Sequence, residues 1–320
     1  MTLGEAIEQY VAWRQAHGAK FTTAGNLLRR FLLHADGNAP CDAVTKAQVL
    51  DFLAGEGPVT RHRENKIYAL AGFWRYAISR GYAQAQCAPL PEDEQRSPLR
   101  APPYIYSRDE LRRLFDPRNV EISRRGAKQL DAVTFRTLLL LLYGAGLRFS
   151  EATGLRLADV ELSEAILTVR DTKFYKSRLI PVGPQLAAVL TSYMSVRLGD
   201  GIAPDDAAFL LANRDGTRLA SSTVQAAFEE LRRVAGVHGG TVGRQVPRLH
   251  DLRHSFAVHS LTAWYREGAD VQRLLPALST YLGHSDLEGT KVYLSMTPEL
   301  LQHASVRFAR YAGGGDNVGP

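Results

Sequence analysis

Cysteine is scarce in this chain. Two residues in 320, Cys41 and Cys87, exclude a disulfide framework and fit a reducing compartment. Neither has neighbours at zinc-ligand spacing, which argues against a structural zinc site. Long apolar runs are missing too: the most apolar stretch, 138–142, has flanks too short to span a bilayer. Residues 1–20 carry no apolar signal core, so a cytoplasmic protein with no membrane role is predicted. No internal repeat is visible. Acidic residues are in the minority, 33 against 39 Lys and Arg, giving a formal net charge of +6. That balance suits a polyanionic partner and equally suits a merely basic protein. The hydrophobic share of 45% is ordinary for a globular chain, and the length exceeds what one core usually serves, so two domains are predicted.

The first third reads as short amphipathic helices. Ile7, Tyr10, Val11 and Arg14 mark the first, a second is predicted over 22–34 and a third over 45–54. Ile67, Leu70, Ala71, Trp74, Ala77 and Ile78 give the clearest helical spacing, and Gly81 stands where a stop is expected. A proline-rich, charge-mixed stretch follows and suits neither helix nor strand. These features divide the chain into a helical domain over 1–90, a linker over 91–106, a second domain over 107–312 and a flexible tail over 313–320. The second domain opens on a capping-box pattern, Ser107 and Glu110. Helix is predicted over 134–143, 185–197, 223–234 and 250–267, with strands over 166–169 and 179–182 joined by a turn. Residues 120–130, with Arg124, Arg125 and Lys128, read as a loop, either a solvated insertion or a source of added contacts to a polyanion.

Four segments carry candidate chemistry. Arg148 lies in Gly146-Leu-Arg148-Phe-Ser-Glu151, just past a buried helix that ends in glycines; its fork can grip a carboxylate or a phosphate, or simply pair with Glu151. The hairpin turn offers Lys173 and Lys176, as edge charges or as a mobile acid and phosphate contact. In His250-Asp-Leu-Arg253-His254, His250 and Arg253 share one helix face. That pairing suits proton transfer beside a phosphate clamp. His250 and His254 also stand at i, i+4, a zinc spacing, but Asp251 replaces the glutamate of a metalloprotease helix. Finally, Leu282-Gly-His284 presents a histidine after a helix stop, and Tyr293 follows nine residues later. Alone, Tyr293 reads as a core tyrosine.

Taken in order, these segments resemble the tyrosine recombinase family, the phage and transposon integrases and the Xer-type enzymes. The family's boxes are an arginine in G-x-R-x-x-E, a hairpin lysine, H-x-x-R, L-G-H and a tyrosine about nine residues on. The resemblance spans residues 3–310, including a basic amphipathic helix over 60–81. It implies a mainly α fold with a small β-sheet: an N-terminal helical core-binding (SAM-like) domain and a mixed α/β catalytic domain. It also implies transesterification through a phosphotyrosine at Tyr293, with His250 as base. Arg148 and Arg253 would hold the phosphate, His284 would donate to it, and Lys173 would protonate the leaving oxygen, with Lys176 left open as the alternative. Glu151 would fix Arg148 or His250. Arg61, Arg63, Lys66 and Lys176 are the expected DNA contacts. The implied partner is a double-stranded DNA recombination site, bound by a homotetramer acting alone or with partner recombinases and located at the nucleoid. No metal or other cofactor is expected. A C-terminal segment over 297–311 would pack on a neighbouring protomer or in cis. Rival classes are a DNA-binding regulator without chemistry, a type IB topoisomerase and a metal hydrolase.

Overall fold

The computed structural model describes residues 1–55, 60–85, 88–90, 102–124, 129–170, 177–199, 205–239, 246–284 and 287–295. The chain divides into two compact units, Met1–Arg100 and Ala101–Pro320.

The first unit holds α1 (Leu3–Ala16), α2 (Thr22–Phe31), α3 (Lys46–Leu53) and α4 (Arg61–Ser79). Thr2 and Thr45 begin α1 and α3 with reciprocal caps to Glu5 and Gln48, which satisfy amide protons that a helix start leaves open. Thr60 caps α4 through the Arg63 amide. The apolar faces of the four helices close over Leu28, Phe31, Leu70, Phe73 and Trp74, all buried. The helix predicted over 22–34 stops at Phe31 because the next residues turn back on Arg29, Arg30 and Phe31 carbonyls.

The second unit starts with α5 (Arg108–Leu114) and α6 (Pro117–Ser123). The Ser107–Glu110 capping box forms as its sequence suggests. Residues 120–130 are not all loop: Pro117 occupies the first turn of α6 and Asp116 caps it by accepting from the Arg118 amide. Proline with its preset φ is favoured at a helix start, and this signal lies just before the stretch that reads as loop. Arg124 pairs with Glu121, while Arg125 and Lys128 lie outside the described residues. Next come α7 (Ala132–Gly144) and α8 (Phe149–Ala152). Asp131 caps α7, whose Phe135, Leu138, Leu139, Leu141 and Leu142 are buried; it is the central strut of the larger core.

Three antiparallel strands in the order β1-β2-β3 follow, β1 (Val160–Glu161), β2 (Ile166–Val169) and β3 (Arg178–Pro181). Leu167 pairs with Val160 on one side and Ile180 on the other. Then come α9 (Pro184–Leu198), α10 (Ser221–Val234), α11 (Asp251–Arg266), α12 (Val271–Leu282) and α13 (Glu288–Lys291), followed by a 3-10 turn, Val292–Ser295. The last elements form a second core of Ala257, Val258, Leu261, Leu275, Leu278, Leu282 and Tyr293. Among the described residues no helix is long and apolar enough to cross a membrane.

Candidate active site

Backbone turns at the ends of α7 and α12 place the first charged groups. Past α7, Gly146 takes φ +58, a left-handed conformation that costs a residue with a Cβ. The turn delivers Arg148 to the start of α8, where Glu151 accepts from the Arg148 amide at 2.9 Å and from its guanidinium at 2.8 Å. A second Arg148 nitrogen donates to the Gly283 carbonyl at 2.8 Å. Gly283 itself ends α12 with φ +67, and a Cβ there would meet the Arg178 guanidinium at 2.7 Å. The amides of Gly283 and His284 bond back into α12. This helix stop presents His284 beyond it, in keeping with the sequence spacing.

Arg253 is 2% exposed on α11. Its guanidinium donates to the Gly146 carbonyl at 2.6 Å and to the Leu282 carbonyl at 2.5 Å, so it ties both turns to one helix. Burial, then the like charge of Arg148, lowers its pKa to about 10, and it stays cationic at neutral pH. His250 stands at the start of α11. The turn below it is held by Arg248, whose amide and guanidinium both donate to the buried carboxylate of Asp251. That explains the aspartate in the motif: it is a local clamp. Burial and the neighbouring Arg253 push the His250 pKa down. Its surface is nevertheless open to solvent; water weakens the contribution of burial, and the like charges are the cause that persists.

Tyr293 is 2% exposed. Its hydroxyl lies 2.9 Å from Nδ1 of His254. The ring stacks near His284, with centroids 6.2 Å apart. His284 Nδ1 is 2.6 Å from the hydroxyl of Thr290, which is fully buried. If that hydroxyl donates, the ring proton of His284 sits on Nε2.

Two residues with no role assigned from sequence join the site. Arg178 on β3 makes a two-pronged pair with Glu151, at 3.1 and 2.8 Å, and donates to the Tyr281 carbonyl at 3.0 Å. One carboxylate therefore serves Arg148 and Arg178 and lies 3.8 Å from Arg253. Burial would raise the Glu151 pKa, but the bonds from Arg178 and Arg148 outweigh it and hold it down at about 2. Glu151 thus fixes arginines, and one carboxylate among three guanidiniums leaves an excess of positive charge there, which favours an anionic ligand. The sequence offers little sign of this: an arginine in a four-residue strand, 27 positions from its partner, looks like an edge charge. The second residue, His254, reads in the sequence only as a zinc ligand, whereas its Nδ1 faces Tyr293. Among the described residues no cluster of three potential metal ligands occurs. Lys173 and Lys176 lie outside the described residues, as does 297–311.

In the first unit, Arg61 pairs with Glu64 and stays largely exposed. Arg63 is half-buried, and Lys66 turns its ammonium onto the Phe52 carbonyl and ring.

Breaking the pair with Arg178→Ala leaves a buried carboxylate short of a partner, so the unit should lose about 3–5 kcal/mol, read by urea unfolding; Arg178→Lys should recover only part because it cannot fork. Stability should also depend on pH. Burial first, then His250 and Arg253, lowers His254 from 6.5 to about 3; burial, then Arg108 and Arg266, lowers His259 to about 4. Unfolded, both take up protons near pH 6.5, while the folded chain resists. Their contribution is full above that pH and is lost as pH falls toward the folded values. Melting temperature should drop between about pH 7 and about pH 5, and a flat profile would refute buried neutral histidines.

Residues 108–299 match the model of the phage integrase family. The chain is 36% identical to the putative integrase/recombinase y4rE of Sinorhizobium fredii, over 95% of each chain. It is 29% identical to the tyrosine recombinase XerD of Bifidobacterium longum, over 81% of this chain and 80% of the relative. Of solved structures, the Tn1549 transposon integrase in complex with a circular intermediate DNA aligns with a TM-score of 0.65 at 17% identity, covering 97% of this chain and 99% of that one. A lambda integrase dimer bound to a COC′ core site aligns with a TM-score of 0.60 at 16% identity, over 92% and 95%. At these identities the structural likeness is one of fold, mainly helical with a small three-stranded sheet, while the family match rests on sequence. With its arginines, histidines and tyrosine gathered at the ends of α7, α11 and α12, the chain belongs to the phage integrase family, the tyrosine-type site-specific recombinases.

Proposed function

We propose that the chain cuts and rejoins a double-stranded DNA recombination site through a 3′-phosphotyrosyl link to Tyr293. The observation that carries this reading is the convergence of Tyr293, Arg148, Arg253 and His284 about the Gly146 and Gly283 turns. Arg148 and Arg253 hold the non-bridging oxygens, where charge accumulates in the five-coordinate transition state. His284 donates through Nε2. Lys173, with Lys176 as the alternative, protonates the departing 5′ oxygen, and His250 faces the phosphate from the open side of α11. Guanidiniums supply the positive charge that a divalent ion would otherwise bring, so cleavage proceeds in EDTA. Energy of the broken ester is retained in the phosphotyrosine until a 5′-hydroxyl attacks it. Because Tyr293 is covered in the free protein, binding must uncover its hydroxyl before attack.

Two duplexes are joined, which calls for four protomers on DNA, alone or with partner recombinases; the reaction takes place at the nucleoid. Arg61 and Arg63 on α4 contact backbone phosphates, and Lys66 joins them after leaving Phe52. The test is covalent trapping. Genomic duplex retained by the full-length protein is nicked near the cleavage point, so that the short product strand escapes. On a denaturing gel, wild-type protein should stay joined to DNA with EDTA present, and Tyr293→Phe should not. An adduct persisting in Tyr293→Phe would move the nucleophile elsewhere; none in wild type, despite binding, would favour a DNA-binding regulator.

A further inference from the structure

We propose that His254 is a further catalytic residue, the base that takes the phenolic proton directly from Tyr293. This rests on the reading of Tyr293 as nucleophile. His254 touches the reacting atom: its Nδ1 lies 2.9 Å from the Tyr293 hydroxyl, with the rings 5.6 Å apart at 55°. Both partners are held in place. His254 follows the buried Arg253 on α11, and Tyr293 is packed in the core that α11 and α12 build. His250 is set edge-on to His254 at 4.8 Å and open to solvent, and in this assignment it is left to contact the phosphate.

Either atom of this pair can donate, according to the tautomer of His254; a base at this position needs the tautomer with its ring proton on Nε2, so that Nδ1 accepts from the phenol. Burial raises the phenol pKa against the pull of Arg253 and Arg148, so the hydroxyl carries its proton at rest. Burial keeps this imidazole neutral, helped by His250, Arg253 and Arg248 on or before α11 and by His284 past α12. In the resting protein the proton therefore stays on oxygen and the nucleophile is dormant. Two changes on DNA binding reverse the preference. The phosphate brings negative charge that offsets the cations holding His254 neutral, and the phenolic oxygen loses its basicity as it bonds to phosphorus. The transfer is concerted with attack: the bond from the Tyr293 oxygen to phosphorus forms, its O–H bond breaks, and Nδ1–H forms. The bond from phosphorus to the 5′ oxygen breaks, and that oxygen takes a proton from the lysine acid. In rejoining, the His254 imidazolium returns its proton to the departing tyrosine oxygen.

The trapping assay separates this role from mere support. In His254→Asn the amide oxygen stands where Nδ1 does and accepts from the phenol without being a base. His254→Ala removes the acceptor altogether. Adduct formation should slow by about 10²–10⁴-fold in both variants, the range of general base catalysis, with DNA binding by gel shift retained. Added imidazole should accelerate His254→Ala in proportion to its free-base form. Wild-type rates in His254→Asn would reduce His254 to an alignment contact, and loss of DNA binding in that variant would make it structural; either overturns the assignment. A wild-type chain that yields no adduct at all would instead sink the recombinase reading on which it rests.

Discussion

Arg148→Lys is expected to abolish strand cleavage while leaving DNA binding nearly intact. The side chain is about one-third exposed, at 35%, and two of its nitrogens are occupied, one by Glu151 and one by the Gly283 carbonyl. These contacts fix the guanidinium plane while leaving the side chain partly exposed. A lysine has one nitrogen and no plane. It can satisfy Glu151 or reach a phosphate, but it cannot do both with fixed direction. The loss falls on the transition state, where donors aimed at developing charge matter most. Removing one such donor costs about 10²–10³-fold elsewhere, and losing alignment against Glu151 as well should add to that. Single-turnover cleavage of nicked DNA, alongside gel-shift affinity, decides the matter. Near-normal cleavage would remove Arg148 from the clamp, and equal losses in affinity and rate would mean uniform binding.

Gly146→Ala should inactivate the protein by a different route. The added methyl group would stand 2.6 Å from the Phe256 ring and 2.9 Å from Leu282. Left-handed φ adds roughly 1–2 kcal/mol for a residue with a Cβ, and overpacking typically adds about 1–3 kcal/mol. A destabilisation of about 2–5 kcal/mol is therefore expected from the two together. Activity should fall further than stability does. The Gly146 carbonyl is an acceptor for Arg253, and the same turn delivers Arg148, so a shift moves both arginines. Cleavage measured well below the melting temperature should be lost in the variant. Activity retained in the folded fraction would show that the turn tolerates displacement.

The order of the boxes along the chain makes most of the candidate site legible in the sequence. Each of Arg148, His250, Arg253, His284 and Tyr293 sits in a local pattern whose glycines or helix spacing can be read from a few neighbours. What stays hidden depends on partners far apart in the chain. Arg178 gains its role from Glu151 and the Tyr281 carbonyl, which no local pattern announces. His254 is visible but ambiguous, because two histidines at i, i+4 suit a metal, and only folding puts one against Tyr293. For Lys66, a basic helical face suggests DNA, and its resting contact with Phe52 shows only in the fold. Among the elements, the long amphipathic helices are plain from their period. The two-residue β1 has too little sequence to show one, and α6 is recognisable only from its Asp-Pro start.

Arg253 has a consequence for how such a chain can decay. Its guanidinium fastens the α7 turn and the end of α12 to α11 through main-chain carbonyls, so it is a rivet as well as the proposed phosphate clamp. Loss of the Tyr293 hydroxyl takes away the proposed nucleophile but not the rivet. Loss of Arg253 leaves buried carbonyls without donors and loosens the fold. A lineage that drifts toward binding DNA without cutting it should therefore discard the tyrosine early and keep the arginine long after its reaction has gone.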